Sequence, residues 1–178
     1  ILELQFQSES LSVMGFSFGG MLAGLLAAQH PKRIARMVLV GVPGLGLFGK
    51  ELPMRGMRAD MSEAEQRLVH RDNLSVMMLA DPARIDEALI DLQTHNVARD
   101  RLRRRRIART DVLIRAQDAW RCEVHGIWGA RDALYAQTLA QVPQVLHRLQ
   151  TFQCIAEAGH WVQYEAPQAF HDCIDKLL

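Results

Sequence analysis

Short apolar runs and a helical segment alternate near the start of the chain. Residues 12–14 are an apolar run that ends at Gly15, and residues 18–29 are rich in Ala, Leu and Met, a composition typical of a helix. Pro31 marks the end of that helix, and residues 36–41 are a second apolar run, closed by a glycine. This strand–helix–strand order predicts a parallel sheet covered by helices.

The middle of the chain has a different pattern. It begins with a stretch rich in Gly and Pro and continues as polar segments, none of which alternates like a strand. The predicted helical segments are residues 62–79, 82–94 and 98–119. Further on, the predicted elements are strand 124–129, helix 135–149, strand 152–156 and helix 167–178. We therefore predict an α/β core made of residues 1–41 and 121–178, with residues 42–120 as a helical insertion.

The chemical signal lies at the first strand-to-helix junction, where residues 15–19 read Gly-Phe-Ser-Phe-Gly. A serine at such a sharp turn is held in a strained conformation with its hydroxyl above the sheet. We expect glycine at positions 15 and 19 because a Cβ atom there would collide with the neighbouring strand or helix. The backbone N–H of Phe18 would lie at the helix N-terminus, where partial positive charge stabilises an oxyanion. Ser17 is therefore the candidate nucleophile.

A nucleophilic serine needs a histidine as base and an acid that orients the histidine. Asp132 follows the third predicted strand and His160 follows the fourth. Because the carboxyl ends of parallel strands share one edge, we expect both to converge on Ser17. Glu157 and Glu165 are weaker candidates for the acid, since neither lies at the end of the preceding strand. The alternatives are that Asp132 only forms a turn and that His160 is a surface histidine.

The chain resembles the α/β-hydrolase superfamily in residues 15–20, 127–132 and 159–167. The order Ser, Asp, His along the chain is also that of this superfamily. The resemblance implies an α/β-hydrolase fold, here the C-terminal part of a mostly parallel sheet flanked by helices, with the helical insertion as a cap. It also implies that Ser17 is the nucleophile, His160 the base, Asp132 the orienting acid and Phe18 the source of an oxyanion-hole N–H.

Residues 159–170 look most like the meta-cleavage-product hydrolases, which break carbon–carbon bonds, and their esterase relatives. Trp161, beside the candidate histidine, supports that subgroup, whereas Phe16 stands where the carbon–carbon hydrolases usually carry a small polar residue. The superfamily places half of its sheet and a second oxyanion loop ahead of the nucleophile, but only residues 1–16 precede Ser17 here. We therefore expect a longer hydrolase whose second oxyanion donor lies outside this chain.

Composition narrows the class of protein. The chain of 178 residues is 49% hydrophobic and 23% charged, as in globular proteins, and its net charge of +1 excludes a global attraction to nucleic acid or membranes. Residues 99–109 hold seven arginines and one acid, Asp100, without interleaved aromatic residues. We expect a solvated helix there, and the alternative is that one or two arginines face the cleft and attract a substrate carboxylate.

Cofactor, metal and membrane signals are not found. The three cysteines are widely spaced, there is no Cys or His pattern for a metal and no glycine-rich phosphate loop, so we predict a cytoplasmic protein without cofactor or metal. The longest apolar stretch, residues 21–28, is far shorter than the roughly 20 residues that span a bilayer, and residues 1–4 do not resemble a signal peptide. A small molecule is the expected partner, and a homo-oligomer is compatible with the sequence.

The predicted function is that of a serine hydrolase that cleaves a small, largely apolar carboxylic ester through an acyl-enzyme. The residues predicted to line its substrate pocket are Phe16, Trp161, Leu45 and Phe48. Two alternatives stay open: a hydrolase of meta-cleavage-product dienoates from aromatic degradation, and a catalytically silent hydrolase-like domain that serves as a binding module.

Overall fold

The computed structural model describes residues 10–47, 49, 51–101 and 106–177, and the strands within them form one parallel sheet. These strands are β1 (Leu11–Phe16), β2 (Ile34–Val40), β3 (Glu123–Gly129) and β4 (Thr151–Ile155). They lie in the order β1-β2-β3-β4, with Leu39 of β2 paired to Gly15 on one side and Gly126 on the other. All four carboxyl ends therefore lie at one edge, and the predicted helix-covered parallel sheet is confirmed.

Helices connect and flank these strands. They are α1 (Ser17–Gln29), α2 (Glu63–Asn73), α3 (Glu87–Arg99), α4 (Val112–Ala116), α5 (Val142–Val145), α6 (Val162–Glu165) and α7 (Pro167–Leu177). A π-helical turn at Leu74–Met78 extends α2, and single 3₁₀ turns occupy Pro82–Arg84, Arg106–Arg109, Gln117–Ala119, Ala133–Tyr135 and Leu139–Gln141. No helix in the described ranges is long and apolar enough to cross a membrane.

The connection between β2 and β3, here called the helical connection, contains α2, α3 and α4, whereas its described residues 41–47 and 51–62 form turns and irregular chain. Ser62 begins α2 with a capping box, because its hydroxyl accepts the N–H of Glu65 while the Glu65 carboxylate accepts the N–H of Ser62. Asp86 caps α3 by a single hydrogen bond, because its carboxylate accepts the N–H of Leu89 at 2.8 Å. The sequence predicted helices here, and the assignment of this connection as a cap stays a prediction.

Two predicted helices are broken in the structure. The predicted helix 135–149 is two 3₁₀ turns followed by the single turn of α5, because Pro143 offers no N–H to a longer helix and the Tyr135 hydroxyl is bonded to the Val42 carbonyl. The predicted helix 98–119 is only the end of α3 followed, from residue 106, by short turns and α4. Composition favoured a helix in both places, and tertiary contacts decided otherwise.

The core lies on both faces of the sheet. Met37 and Leu39 pack towards α1, whereas Val38 and Val40 pack against α7, so successive β2 residues alternate between the two faces. Buried Trp120 fixes α1 to the helical connection, because its indole N–H donates to a backbone carbonyl of α1 at 2.8 Å. A third cluster lies within the helical connection itself and comprises Leu74, Leu79, Ile85, Leu89 and Ile90.

Candidate active site

Ser17 lies at the junction of β1 and α1, at the carboxyl edge of the sheet. It has φ of 49°, the left-handed region, and it is the one non-glycine residue with positive φ in the part of the chain that the structure describes. Such a conformation costs on the order of 1–3 kcal/mol for a residue with a Cβ atom, so the surrounding packing must hold it in place. The strain that the sequence predicts for this serine is present.

Two glycines let the strand and the helix approach each other at this turn. A Cβ atom at Gly15 would lie 2.4 Å from the Cα of Gly20, and one at Gly20 would lie 2.2 Å from Val42 Cγ1 and 2.4 Å from the Gly15 carbonyl oxygen. A Cβ atom at Gly19 would meet nothing within 4 Å. The prediction that Gly19 is needed for space is therefore wrong, because the close approach occurs one residue later, at Gly20.

The three predicted catalytic side chains form a connected chain of hydrogen bonds. His160 Nε2 lies 3.0 Å from Ser17 Oγ, and His160 Nδ1 lies 2.8 Å from Asp132 Oδ2. The other carboxylate oxygen, Asp132 Oδ1, accepts the backbone N–H of Leu134 at 2.9 Å. Asp132 and His160 are buried. With a proton on Nδ1, the histidine presents a free electron pair at Nε2 to the serine hydroxyl, which is the geometry of a general base.

The histidine ring is held from two sides. Gly41, which has φ of 54°, lies so close that a Cβ atom there would be 3.3 Å from both Cε1 and Nδ1 of His160. The ring of Phe16 packs nearby, with its centroid 5.0 Å from that of His160. The end of β2 and the residue before the nucleophile thus limit how the imidazole can rotate.

The loops that carry Asp132 and His160 are bonded to each other. The N–H of Ala130 donates to the Ile155 carbonyl and that of Arg131 to the Ala158 carbonyl, both at 2.9 Å. Gly129 allows this contact, because a Cβ atom there would lie 2.0 Å from the Gly159 carbonyl oxygen. The acid and the base are therefore positioned as one unit.

The two weaker acid candidates have different surroundings. Glu157 is exposed and its carboxylate lies 3.6 Å from the Arg131 guanidinium. Glu165 is buried and its carboxylate accepts three backbone N–H groups, from Gly159, Ala80 and Asp81. Sequence reasoning considered Glu165 only as a partner of the histidine and missed this role, since Ala80 and Asp81 are distant in the chain.

A cavity of about 860 Å³ opens onto Ser17 and His160. Its apolar lining includes Phe16, Phe18, Met77, Met78 and Leu134, and its polar lining includes Gln93, Asn96, Arg99, Arg106 and Arg109. The Arg109 guanidinium donates to the Glu51 carboxylate at 2.7 Å. This volume is in the range of sites that enclose a small organic molecule.

The predicted pocket residues have different positions in the structure. Phe16 lines the cavity, as does Phe18, the predicted oxyanion donor. Leu45 does not, because it is buried in the main core. Trp161 does not either, because its ring packs on Tyr164 with the centroids 5.4 Å apart. Phe48 lies outside the described residues. Leu134 was missed, although its place two residues after the candidate acid was a usable signal.

The described part of the chain contains no group of three or more His, Cys, Asp or Glu side chains arranged to hold a metal ion. The nearby phenol of Tyr135 is also unsuited to proton transfer, because burial, together with the negative charge of Asp132, raises its pKa well above the ordinary value. Glu51 and Asp100 also line the cavity, but the titratable groups in the hydrogen-bonded chain that starts at Ser17 are His160 and Asp132.

Comparisons with known proteins identify the fold. A family model described as the alpha/beta hydrolase fold matches residues 2–74. No curated protein sequence matches the chain. Solved structures of 14–20% identity match 95–99% of the chain, and these matches establish the fold.

Three of these structures illustrate the match. A meta-cleavage product hydrolase from Pseudomonas fluorescens IP01 has 20% identity and a TM-score of 0.66, with 95% of this chain and 64% of that chain covered. A Burkholderia cenocepacia protein assigned as an aryl esterase has 19% identity and a TM-score of 0.74, with 98% and 65% covered. The 2-hydroxy-6-oxo-6-phenylhexa-2,4-dienoate hydrolase of Rhodococcus sp. strain RHA1 has 19% identity and a TM-score of 0.64, with 98% and 66% covered.

The chain therefore has the α/β-hydrolase fold. It spans about two thirds of the length of these three relatives.

Proposed function

We propose that this chain carries the catalytic residues of a serine hydrolase that cleaves small, largely apolar carboxylic esters. The observation that carries the proposal is the hydrogen-bonded chain from Ser17 through His160 to Asp132, with the serine at a strained strand-to-helix turn and facing a cavity. An unreactive serine has no need of a buried histidine and a buried acid behind it.

The proposed reaction proceeds in two halves. The Ser17 oxygen attacks the ester carbonyl carbon while His160 Nε2 takes the hydroxyl proton, and Asp132 stabilises the resulting imidazolium. The tetrahedral oxyanion receives the N–H of Phe18 at the first turn of α1, which has 13 residues and no acid in its first turn. His160 then returns the proton to the departing alcohol, and water attacks the acyl-enzyme with His160 again as the base.

The substrate class follows from the lining of the cavity. Phe16, Phe18 and Leu134 come from the α/β core and Met77 and Met78 from the helical connection, so both parts supply apolar surface. Methionine side chains adapt to different shapes, which suits a pocket that accepts several acyl or aryl groups. This supports an apolar acid or alcohol portion in the substrate.

A second candidate is the hydrolysis of a carbon–carbon bond in a meta-cleavage-product dienoate. Two observations favour it: arginines line the cavity, and two of the structurally similar proteins carry names of that activity. Arg99 and Arg106 both line the cavity, so either guanidinium is placed to receive a substrate carboxylate. Phe16, in place of a small polar residue, favours the ester reaction.

Covalent labelling of the full-length gene product with a fluorophosphonate probe tests the proposal. Labelling at Ser17 that is lost in Ser17→Ala and His160→Ala, and kept in His147→Ala, supports it. His147 is the matched control because it also bonds an aspartate, but on the surface. No labelling of the wild-type protein would overturn the proposal and favour a silent binding module. Hydrolysis of p-nitrophenyl esters against bleaching of a dienoate chromophore then separates the two reactions.

A further inference from the structure

Glu165 connects two parts of the molecule through a buried carboxylate. It is 3% exposed and lies at the end of α6. Oε2 accepts the N–H of Gly159 at 2.5 Å, directly before the catalytic histidine, while Oε1 accepts the N–H groups of Ala80 and Asp81 at 2.8 and 2.9 Å. One side chain thus satisfies three backbone donors from segments about eighty residues apart in the chain.

Other contacts cross the same boundary. The N–H of Trp161 donates to the Met78 carbonyl at 2.8 Å, and the Arg84 guanidinium donates to the backbone carbonyl of Glu165. Trp161 is therefore bonded directly to Met78, and Gly159 is linked to Ala80 and Asp81 through the Glu165 carboxylate. Because Met78 also lines the cavity, the same strip of chain forms part of the cavity wall and supports the histidine loop.

The contact between Gly159, Glu165 and Ala80 is too tight for an added side chain. A Cβ atom at Gly159 would lie 2.7 Å from the Ala80 nitrogen and 3.0 Å from Glu165 Oε2. The N–H groups of Gly159, Ala80 and Asp81 all point at one carboxylate, whose two oxygens can accept all three hydrogen bonds. Hydrogen bonds from three donors offset the cost of burying that charge.

We propose that Glu165 is a positioning residue for His160, acting through Gly159, and that it sets the distance between the histidine and the cavity wall formed by the helical connection. This inference rests on the proposed function. Glu165 is not among the residues that line the cavity, and its carboxylate accepts hydrogen bonds from Gly159, Ala80 and Asp81. It links Gly159, the residue before His160, to Ala80 and Asp81. The imidazole is therefore held at hydrogen-bonding distance from the Ser17 hydroxyl while the helical connection is packed against the histidine loop.

The Glu165→Gln variant separates the two halves of this contact. A glutamine has one oxygen, and it satisfies two donors if it faces Ala80 and Asp81 but only one if it faces Gly159. The first orientation is favoured because it satisfies more donors, and in it the amide NH₂ faces the N–H of Gly159, donor against donor. The variant should therefore release the histidine loop while it keeps the helical connection bonded.

The measurement is the rate constant of fluorophosphonate labelling, together with the final labelled fraction, in the full-length gene product. We expect Glu165→Gln to label completely but about 10- to 100-fold more slowly than wild type, because a misplacement of the base by about 1 Å costs rate rather than folded protein. With an ester substrate, kcat should fall by the same factor and KM should change little. Glu157→Gln, an exposed acid in the same loop, is the control and should match wild type.

The outcomes distinguish a positioning role of Glu165 from a purely structural one. A Glu165→Gln rate within twofold of wild type, or a lower labelled fraction at an unchanged rate, would overturn the inference and leave Glu165 a purely structural residue. Gly159→Ala strains the same contact from the other side and should also slow labelling, so it decides the matter if Glu165→Gln does not fold. A wild-type protein that does not label would instead remove the proposed function and this inference with it.

Discussion

The substitution Asp132→Asn removes the negative charge of Asp132 while it keeps the shape of the side chain. The carboxylate accepts two hydrogen bonds in the folded chain, from His160 Nδ1–H and from the N–H of Leu134. An asparagine of the same shape has only one acceptor. If its oxygen stays on Leu134, its NH₂ faces Nδ1, and the histidine must then carry its proton on Nε2, where it can no longer accept the proton of Ser17.

The expected loss of activity follows from the free-energy cost of the other orientation of the asparagine amide, in which its oxygen faces His160. An asparagine that turns its oxygen to His160 leaves the buried N–H of Leu134 opposed by a donor, a loss of about 1–3 kcal/mol. This biases the site about 5- to 150-fold towards the wrong tautomer, since 1.4 kcal/mol is tenfold. Loss of the negative charge that stabilises the imidazolium adds to this, and the total expected decrease in kcat is about 10⁴-fold.

The assay is steady-state hydrolysis of a p-nitrophenyl ester by the full-length protein, alongside the rate of fluorophosphonate labelling. Asp118→Asn is the matched control, because Asp118 Oδ1 lies 3.1 Å from His147 Nε2 in an exposed pair of the same chemical type. That control should retain wild-type activity. If Asp132→Asn retained more than about a tenth of the wild-type kcat, the argument that Asp132 sets the histidine tautomer would be refuted.

Two further predictions concern the turn and the helical connection. Gly20→Ala should lower the free energy of unfolding in urea by about 1–3 kcal/mol or more, because the new Cβ atom would collide with backbone. Gly19→Ala should leave that free energy unchanged or raise it by up to about 1 kcal/mol. Equal losses in both variants would contradict the conclusion that the close approach of strand and helix occurs at Gly20. Burial, with the nearby charge of Arg67, lowers the pKa of His70, so the unfolded state binds more protons below about pH 6.5. The free energy of unfolding should therefore fall on acidification through that pH, and less steeply in His70→Gln; the same slope in both proteins would exclude His70 as the cause.

Much of the candidate site was predictable from the sequence. The glycine-flanked Ser17 between a strand and a helix is a local pattern, and the spacing of Asp132 and His160 after later strands is also read along the chain. Parallel strands have their carboxyl ends at one edge of a sheet, so this local information was enough to bring the three residues together. The prediction needed no knowledge of packing distances.

The parts that could not be predicted depend on packing. The roles of Gly19 and Gly20 differ because Val42 and the Gly15 carbonyl approach one of them and not the other. Leu45 and Trp161 are apolar side chains of the kind that line pockets, but Leu45 lies in the core and Trp161 packs on Tyr164. Side-chain type indicates that a residue is buried and does not indicate which apolar surface it faces.

The sequence by itself therefore determined the parallel sheet, the position of the strained serine and the order of the three candidate catalytic residues, because local periodicity and turn chemistry specify them. Only the tertiary structure decided that the Glu165 carboxylate bonds the N–H groups of Ala80 and Asp81, about eighty residues away in the chain, as well as that of Gly159. Those contacts join groups whose distance in space has no relation to their separation in the chain. Backbone N–H groups are present at every residue except proline, so their partners are set by the folded packing rather than by any local motif.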